Sequence, residues 1–167
     1  HFCTTWGYFV LLMWLPSYFA SHFELTVTQS AQYSVFPWVL MFFSTQFAGF
    51  IADSLLSKEY TTTSVRKFMQ AIAFLGPAFF LSLLTSASSK YFAIGCITAG
   101  LGLGSFAHGG VYCVHQDIAG SCAGTLLGIS NTFASIPGIV GVGITGFLLD
   151  KSGGNWNLVF FLAVAIY

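Results

Sequence analysis

The chain has 167 residues, of which 56% are hydrophobic, 18% are aromatic and only 6% are Asp, Glu, Lys or Arg. Ordinary soluble domains have about 25% charged residues, so this composition excludes a water-soluble enzyme and a disordered chain. The formal net charge of zero offers no basic surface to a nucleic acid. We therefore expect an integral, multi-pass membrane protein whose main partner is the lipid bilayer.

Ten charged residues divide the chain into long uncharged runs. The first five runs each reach the length of about 20 residues that spans a bilayer as a helix, and they lack the alternation of barrel strands. The fold class predicted is therefore all-α. In chain order the runs predict helices at Thr5–His22, Val35–Leu55, Phe68–Thr85, Tyr91–Val114, Thr125–Leu149 and from about Asn157 onward.

Charged residues in the short loops indicate an orientation. The loop between the second and third predicted helices carries Lys58, Arg66 and Lys67, whereas the opposite side carries only Lys90 and Lys151. Because cytoplasmic loops are enriched in Lys and Arg, the second loop is expected to face the cytosol or the equivalent compartment of an organelle.

Several patterns carry no chemistry. The four cysteines lack CxxC spacing and occupy apolar positions, which favours packing over metal binding or a disulfide. A G-x-G-x-x-G match at residues 141–146 lies inside an apolar helix, so it does not indicate a nucleotide site. No clustered acids, histidines or metal ligands occur within the helices. We expect no enzyme activity, no catalytic or metal-binding residues and no cofactor.

Prolines and glycines indicate helices that move. Pro16, Pro37, Pro77 and Pro137 fall inside predicted helices, and such prolines suit a protein that rocks between conformations. The alternative is that proline is simply common in membrane helices. Small residues, among them Gly124 and Gly128, predict close packing of the fourth and fifth helices.

His108 is the only ionisable side chain placed clearly within a predicted span. Ionisable groups inside membranes are often functional, and histidine can carry a proton near neutral pH. The alternative is a neutral histidine that bonds a neighbouring helix. Both interpretations stay open at the level of sequence.

The end of the second helix and the start of the third contain a loop motif. GFIAD at 49–53 is followed by the basic pair Arg66 and Lys67. Gly49 permits a close helix approach, and Asp53 can lie at the positive end of another helix. This pattern resembles the motif of the major facilitator superfamily between helices eight and nine, with a longer insert.

Further stretches sharpen the resemblance. HQDIA at 115–119, followed by AGTLLGISNT at 123–132, is similar to a segment of the anion:cation symporter family. TSVRKFMQ at 63–70 and FLGPAFF at 74–80 resemble the plant type-4 phosphate transporters of that family, which also includes sialin and the vesicular glutamate transporters. Gly120, Ser121 and Cys122 replace the usual Pro-Arg-Tyr, which removes a loop cation. The resemblance covers essentially the whole chain in order.

The resemblance implies that residues 1–167 are the C-terminal transmembrane bundle of such a transporter, equivalent to helices seven to twelve. The twelfth is expected to be incomplete and the N-terminal half to be a missing partner. It also implies secondary active transport of a small anion, inorganic phosphate or an organic anion, by alternating access. Na⁺, H⁺ or the membrane potential would drive it. A plastid membrane is favoured, with other endomembranes or the plasma membrane open. Transport of another solute, or a fragment without activity of its own, are the alternatives.

No Lys or Arg lies inside a predicted helix, so the countercharges for an anion are expected in the N-terminal half. This half can supply hydroxyls, amides and aromatic faces to the substrate pathway, at Thr4, Thr5, Trp6, Tyr8, His108, Tyr112, Ser130 and Asn131. Ser130 and Asn131 could instead bond neighbouring helices. The gating or loop motif is expected to comprise Gly49, Asp53, Arg66, Lys67, His115, Gln116 and Asp117.

Overall fold

The computed structural model describes every residue from His1 to Tyr167 and contains helices without strands. Eight α-helices follow in order: α1 (Phe2–His22), α2 (Val27–Ser57), α3 (Thr62–Leu84), α4 (Lys90–Gly104), α5 (Val111–Ala119), α6 (Ala123–Ala134), α7 (Ile136–Lys151) and α8 (Trp156–Ile166). Three helical stretches are long and apolar enough to cross a membrane: Val27–Ser57, Thr62–Leu84 and Lys90–Lys151. The all-α membrane fold is confirmed.

The second helix begins eight residues before the predicted Val35. Thr26 starts it with a capping box, in which its hydroxyl accepts the Gln29 N–H and the Gln29 side chain accepts the Thr26 N–H, both at 3.3 Å. This reciprocal pair satisfies two backbone donors that a helix start otherwise leaves free. The prediction that the second helix begins at Val35 was therefore wrong.

The predicted fourth helix is not continuous. After α4 the chain forms a 3-10 turn from Ser105 to His108, and α5 begins only after Gly109 and Gly110. The main chain of α3 lies against this point, since a Cβ added at Gly110 would come within 3.1 Å of the Gln70 nitrogen. The single helix Tyr91–Val114 was therefore a wrong prediction, because the close neighbour is not visible in the local sequence.

The predicted fifth helix is also divided. α6 ends at Ala134 and α7 begins at Ile136, with Pro137 in the first turn of α7. Proline has no N–H to continue the ladder of the preceding helix, and it is well tolerated in a first turn. The prediction of one helix over Thr125–Leu149 was wrong, because Pro137 starts a helix here rather than kinking one.

The helices pack around two buried clusters. The larger joins α1, α4 and α8 with the end of α3 and includes Leu15, Phe19 and Ile97. The smaller joins α2, α3 and the 3-10 turn around Ala48 and Met69. Only 40 of the 167 residues are buried, and a run of aromatic side chains on α2 points outward. An apolar surface of this extent suits a lipid solvent.

The small-residue pattern packs closely at some of the predicted positions and not at others. A Cβ added at Gly124 or Gly128 would meet no atom within 4 Å, and the same holds for Gly49. A Cβ added at Gly138 would lie 3.4 Å from the ring of Phe9, and one added at Gly102 would lie 3.0 Å from Leu40, so these small residues do allow close helix approaches. The expected close helix approaches at Gly49, Gly124 and Gly128 are therefore absent, and α7 packs on α1.

Candidate functional site

A cavity of about 430 Å³ lies at the centre of the bundle, where the two helix breaks face α1, α3 and α4. No Asp, Glu, Lys or Arg lines it. The wall is mostly apolar, with hydroxyl, amide and imidazole groups between the apolar side chains. Six of the residues expected in a substrate pathway line it together: Thr4, Thr5, Tyr8, His108, Tyr112 and Asn131.

Two predicted pathway residues lie outside the wall. Trp6 is buried in the core, where its ring lies 3.4 Å from the position of a Cβ at Gly141. Ser130 does not line the cavity, but its hydroxyl lies 2.6 Å from Nδ1 of His1, whose ring does. Ser130 is therefore connected to the cavity wall by its hydrogen bond with His1.

Imidazole and phenol rings form a row along one side of the cavity. His108 stacks on Tyr112 with ring centroids 4.9 Å apart, and His1 meets the same tyrosine edge-on at 4.8 Å. His115 lies behind them, 5.9 Å from His1, buried and donating through Nδ1 to the Tyr112 carbonyl. No group of three or more His, Cys, Asp or Glu side chains is arranged to hold a metal ion.

Side chains of α3 satisfy the backbone at the first helix break. The Arg66 guanidinium donates to the Gly109 carbonyl at 3.1 Å. The amide oxygen of Gln70 accepts the Val111 N–H at 3.0 Å, and its nitrogen donates to the Thr4 hydroxyl at 3.4 Å. Backbone groups at a break within a membrane need such partners, because lipid offers none. Gln70 thus joins the break to the cavity wall.

The second break is satisfied from α1. The buried Thr5 hydroxyl donates to the Ala134 carbonyl at 2.8 Å, where α6 ends. Its alternative acceptors at the start of α1, the carbonyls of His1 and Phe2, lie farther away at 3.1 Å. Each break therefore has at least one backbone group bonded by a side chain from a neighbouring helix.

Among the residues predicted in the loop motif, Arg66 and Asp117 form an ion pair. Arg66 binds Asp117 through two nitrogens, at 2.7 and 3.2 Å, which joins the start of α3 to the end of α5. This is the only salt bridge in the structure. Asp53, Lys67 and Gln116 are exposed and make no side-chain hydrogen bond or salt bridge.

Sequence reasoning missed the contributions of Gln70 and His1. Gln70 lies one turn beyond Arg66 on the same helix, and it is a polar residue within a predicted membrane span. A lone amide in an apolar helix is a detectable signal, since it needs a partner inside the membrane. His1 precedes the first predicted helix, so its position against Ser130 depends on tertiary packing.

No family model matches the chain. Among curated proteins, the chain is 42% identical over 167 residues, its whole length, to an Arabidopsis thaliana chloroplastic sodium-dependent phosphate transport protein and to an Arabidopsis thaliana chloroplastic ascorbate transporter. It is 36% identical over 164 residues, 98% of its length, to a Mus musculus voltage-gated purine nucleotide uniporter. It spans 32%, 30% and 36% of these three relatives.

The match to the two Arabidopsis thaliana proteins covers the whole chain. It includes both helix breaks, the cavity wall and the Arg66–Asp117 pair. The resemblance that the motifs predict is confirmed, since the whole chain is homologous to part of proteins named as anion, phosphate and ascorbate transporters.

Proposed function

We propose that the chain forms the C-terminal half, helices seven to twelve, of a secondary active transporter of small anions in a plastid membrane. The observation that carries the proposal is the central cavity at two helix breaks, in a chain whose relatives carry the names of phosphate, ascorbate and nucleotide transporters. Broken helices at the middle of a bundle are a common setting for transporter sites.

The cavity supplies hydrogen bonds rather than charge. Tyr8, Tyr112 and Asn131 offer polar groups to a bound solute, and the aromatic faces offer contacts to a carbon body. An anion also needs positive charge or aligned dipoles to offset its desolvation. The proposal therefore assigns the main cations to an N-terminal half that closes the cavity from the opposite side.

Alternating access follows from moving the broken segments. The Arg66–Asp117 pair holds α5 against α3, at the end of the bundle that also carries Asp53 and Lys67. Breaking this pair would free α5 to open one side of the cavity. Na⁺, H⁺ or the membrane potential would drive the transport. The proposal includes no cofactor.

Proteoliposomes containing the protein expressed from its complete gene provide the test. Counterflow of labelled phosphate, ascorbate and glutamate should be saturable for at least one anion, and replacing Na⁺, collapsing the pH gradient or setting the potential identifies the driving force. The isolated chain should show no saturable uptake. Saturable uptake by the isolated chain would contradict the two-half proposal.

Transport of an uncharged solute is a second candidate. The absence of Asp, Glu, Lys and Arg from the cavity wall favours it, since a neutral solute needs no countercharge. The same liposomes should therefore be tested with labelled sugars. A preference for an uncharged sugar over all anions would reject anion transport in favour of this candidate.

The plastid location has its own test. A fluorescent fusion of the complete protein in leaf cells should follow the chloroplast envelope, in line with the chloroplastic relatives. Fluorescence confined to the plasma membrane or to another endomembrane would reject the plastid part of the proposal and leave transport untouched.

A further inference from the structure

His108 lies at the end of the 3-10 turn between α4 and α5, with its side chain on the cavity wall. Its Nδ1 is 2.9 Å from the Ser105 carbonyl oxygen. A carbonyl only accepts hydrogen bonds, so Nδ1 must carry the hydrogen. In the neutral ring, Nε2 therefore holds a lone pair and cannot donate.

The second nitrogen of His108 is free. Nε2 has no hydrogen-bond partner in the protein, and the residue is exposed at the cavity. Stacking on Tyr112, with only 18° between the ring planes, fixes the plane of the imidazole. A neutral His108 thus presents an acceptor to the cavity, which repels the oxygen of an anion. Protonation of Nε2 converts it into a charged donor.

The surroundings leave few other sources of positive charge. The elements packed around the turn carry titratable groups in two sets. The set that lines the cavity comprises His1, Tyr8, Tyr112 and Tyr167. The set outside the wall comprises Tyr33, Asp53, Arg66, Lys67, Lys90, Tyr91, Cys96, Cys113, His115 and Asp117. Tyrosine is uncharged near neutral pH, and Arg66 is neutralised by Asp117. Only a histidine can therefore give this wall a positive charge.

His1 is less suited to the role. Its Nδ1 is already bonded to the Ser130 hydroxyl at 2.6 Å, and its ring edge is packed against Tyr112. His108 combines a fixed tautomer, a free nitrogen and an open position. A bound oxyanion would accept from Nε2–H, and the charge-assisted bond would favour the protonated ring.

We propose that His108 is a proton-dependent anion subsite, so that the cavity takes up one proton from water with each bound anion and releases both together. The proton resides on Nε2 and bonds to an oxygen of a carboxylate, enolate or phosphate. This inference rests on the proposed function, and it names the coupling chemistry of the same cavity.

Uptake by the complete protein in proteoliposomes tests the inference between about pH 5 and pH 8, the range over which histidine charge changes. For a transported carboxylate or ascorbate, whose own charge stays nearly constant over this range, the wild-type KM should rise toward about tenfold per pH unit on the alkaline side, as expected when one proton binds with the ligand. The His108→Gln protein keeps an N–H donor without the titration. Its KM should be independent of pH and higher than the wild-type value at acidic pH.

Two further variants sharpen the result. His22→Gln changes a histidine at the far end of α1, away from the cavity, and should keep the wild-type pH slope. His1→Gln should also keep it. An unchanged slope in His108→Gln, a slope lost only in His1→Gln, or a wild-type KM that does not vary with pH would each overturn the inference. His108→Asn replaces His108→Gln if the latter elutes as an aggregate.

Binding calorimetry separates this inference from the proposed function. Titration of the same anion in two buffers of different ionisation enthalpy counts the protons bound, and we expect about one at alkaline pH for the wild type and none for His108→Gln. Anion transport without proton uptake would overturn the inference alone. Absence of both binding and transport for every anion would overturn the proposed function and the inference with it.

Discussion

Replacing Gly110 with alanine should destabilise the protein by separating α5 from α3. The added Cβ would lie 2.8 Å from the Gln70 side-chain oxygen, 3.1 Å from the Gln70 nitrogen and 3.3 Å from its Cα. Two of these atoms are main chain and cannot rotate away. Overpacking of this kind costs about 1–3 kcal/mol, and displacing the Gln70 oxygen from the Val111 N–H removes a hydrogen bond of about 1 kcal/mol. The expected total is about 2–4 kcal/mol.

Gly95→Ala is the matched control, because Gly95 lies inside α4 with no atom within 4 Å of an added Cβ. Alanine is favoured over glycine by about 0.5–1 kcal/mol inside a helix, so this variant should be slightly more stable. Thermal unfolding followed by circular dichroism in detergent should show Gly110→Ala melting about 5–15 °C below the wild type. A melting temperature at or above that of the wild type would refute the close approach of α5 and α3.

Three other changes test separate contacts by the same melting assay. Alanine substitutions of Arg66 and Asp117, singly and together, should give a coupling energy of about 1 kcal/mol, because the two side chains are only 13% and 27% exposed and share two hydrogen bonds. The coupling energy should shrink in high salt. Additive effects of the two substitutions would contradict a direct ion pair. Thr26→Ala should lower the stability by about 1 kcal/mol through loss of the capping box, whereas Thr26→Ser keeps the hydroxyl and should stay close to the wild type. Equal stability of the two variants would contradict a stabilising cap. Gln70→Met should lower the stability by about 1–3 kcal/mol, because it leaves the Val111 N–H without a partner. The control Gln46→Met, at an exposed position, should have little effect. Equal effects of the two substitutions would contradict the Gln70–Val111 hydrogen bond.

Charge spacing predicts where the helices lie, because a charged side chain ends an apolar run wherever lipid is the solvent. The two breaks were not predictable in this way. The first depends on the main chain of α3 lying against Gly110, a contact between residues far apart in sequence. The second lies beside Pro137, so its position is marked in the local sequence, but the Thr5 hydroxyl that bonds the Ala134 carbonyl comes from a distant part of the chain.

The positions of the cavity residues were also predictable only in part from the sequence. Thr4 and Tyr8 are four residues apart and share one face of α1, whereas Trp6 lies on the opposite face and packs in the core. Helical periodicity could have separated these residues. The choice between Asp53 and Asp117 as the partner of Arg66 could not be made from sequence, since both lie at the same end of the bundle.

The way in which the two breaks are bonded has an energetic consequence. Unwinding a continuous helix in lipid would expose several backbone groups, each at several kcal/mol. Here the Thr5–Ala134 bond and the Gln70–Val111 bond are single contacts from a neighbouring helix, and breaking one leaves a backbone group without a partner at a cost of about 1–3 kcal/mol. Because about 1.4 kcal/mol corresponds to a tenfold change in population, a conformer with one of these bonds broken would be populated at roughly 1–15%. A rearranged cavity would then lie within reach of thermal motion before any solute arrives.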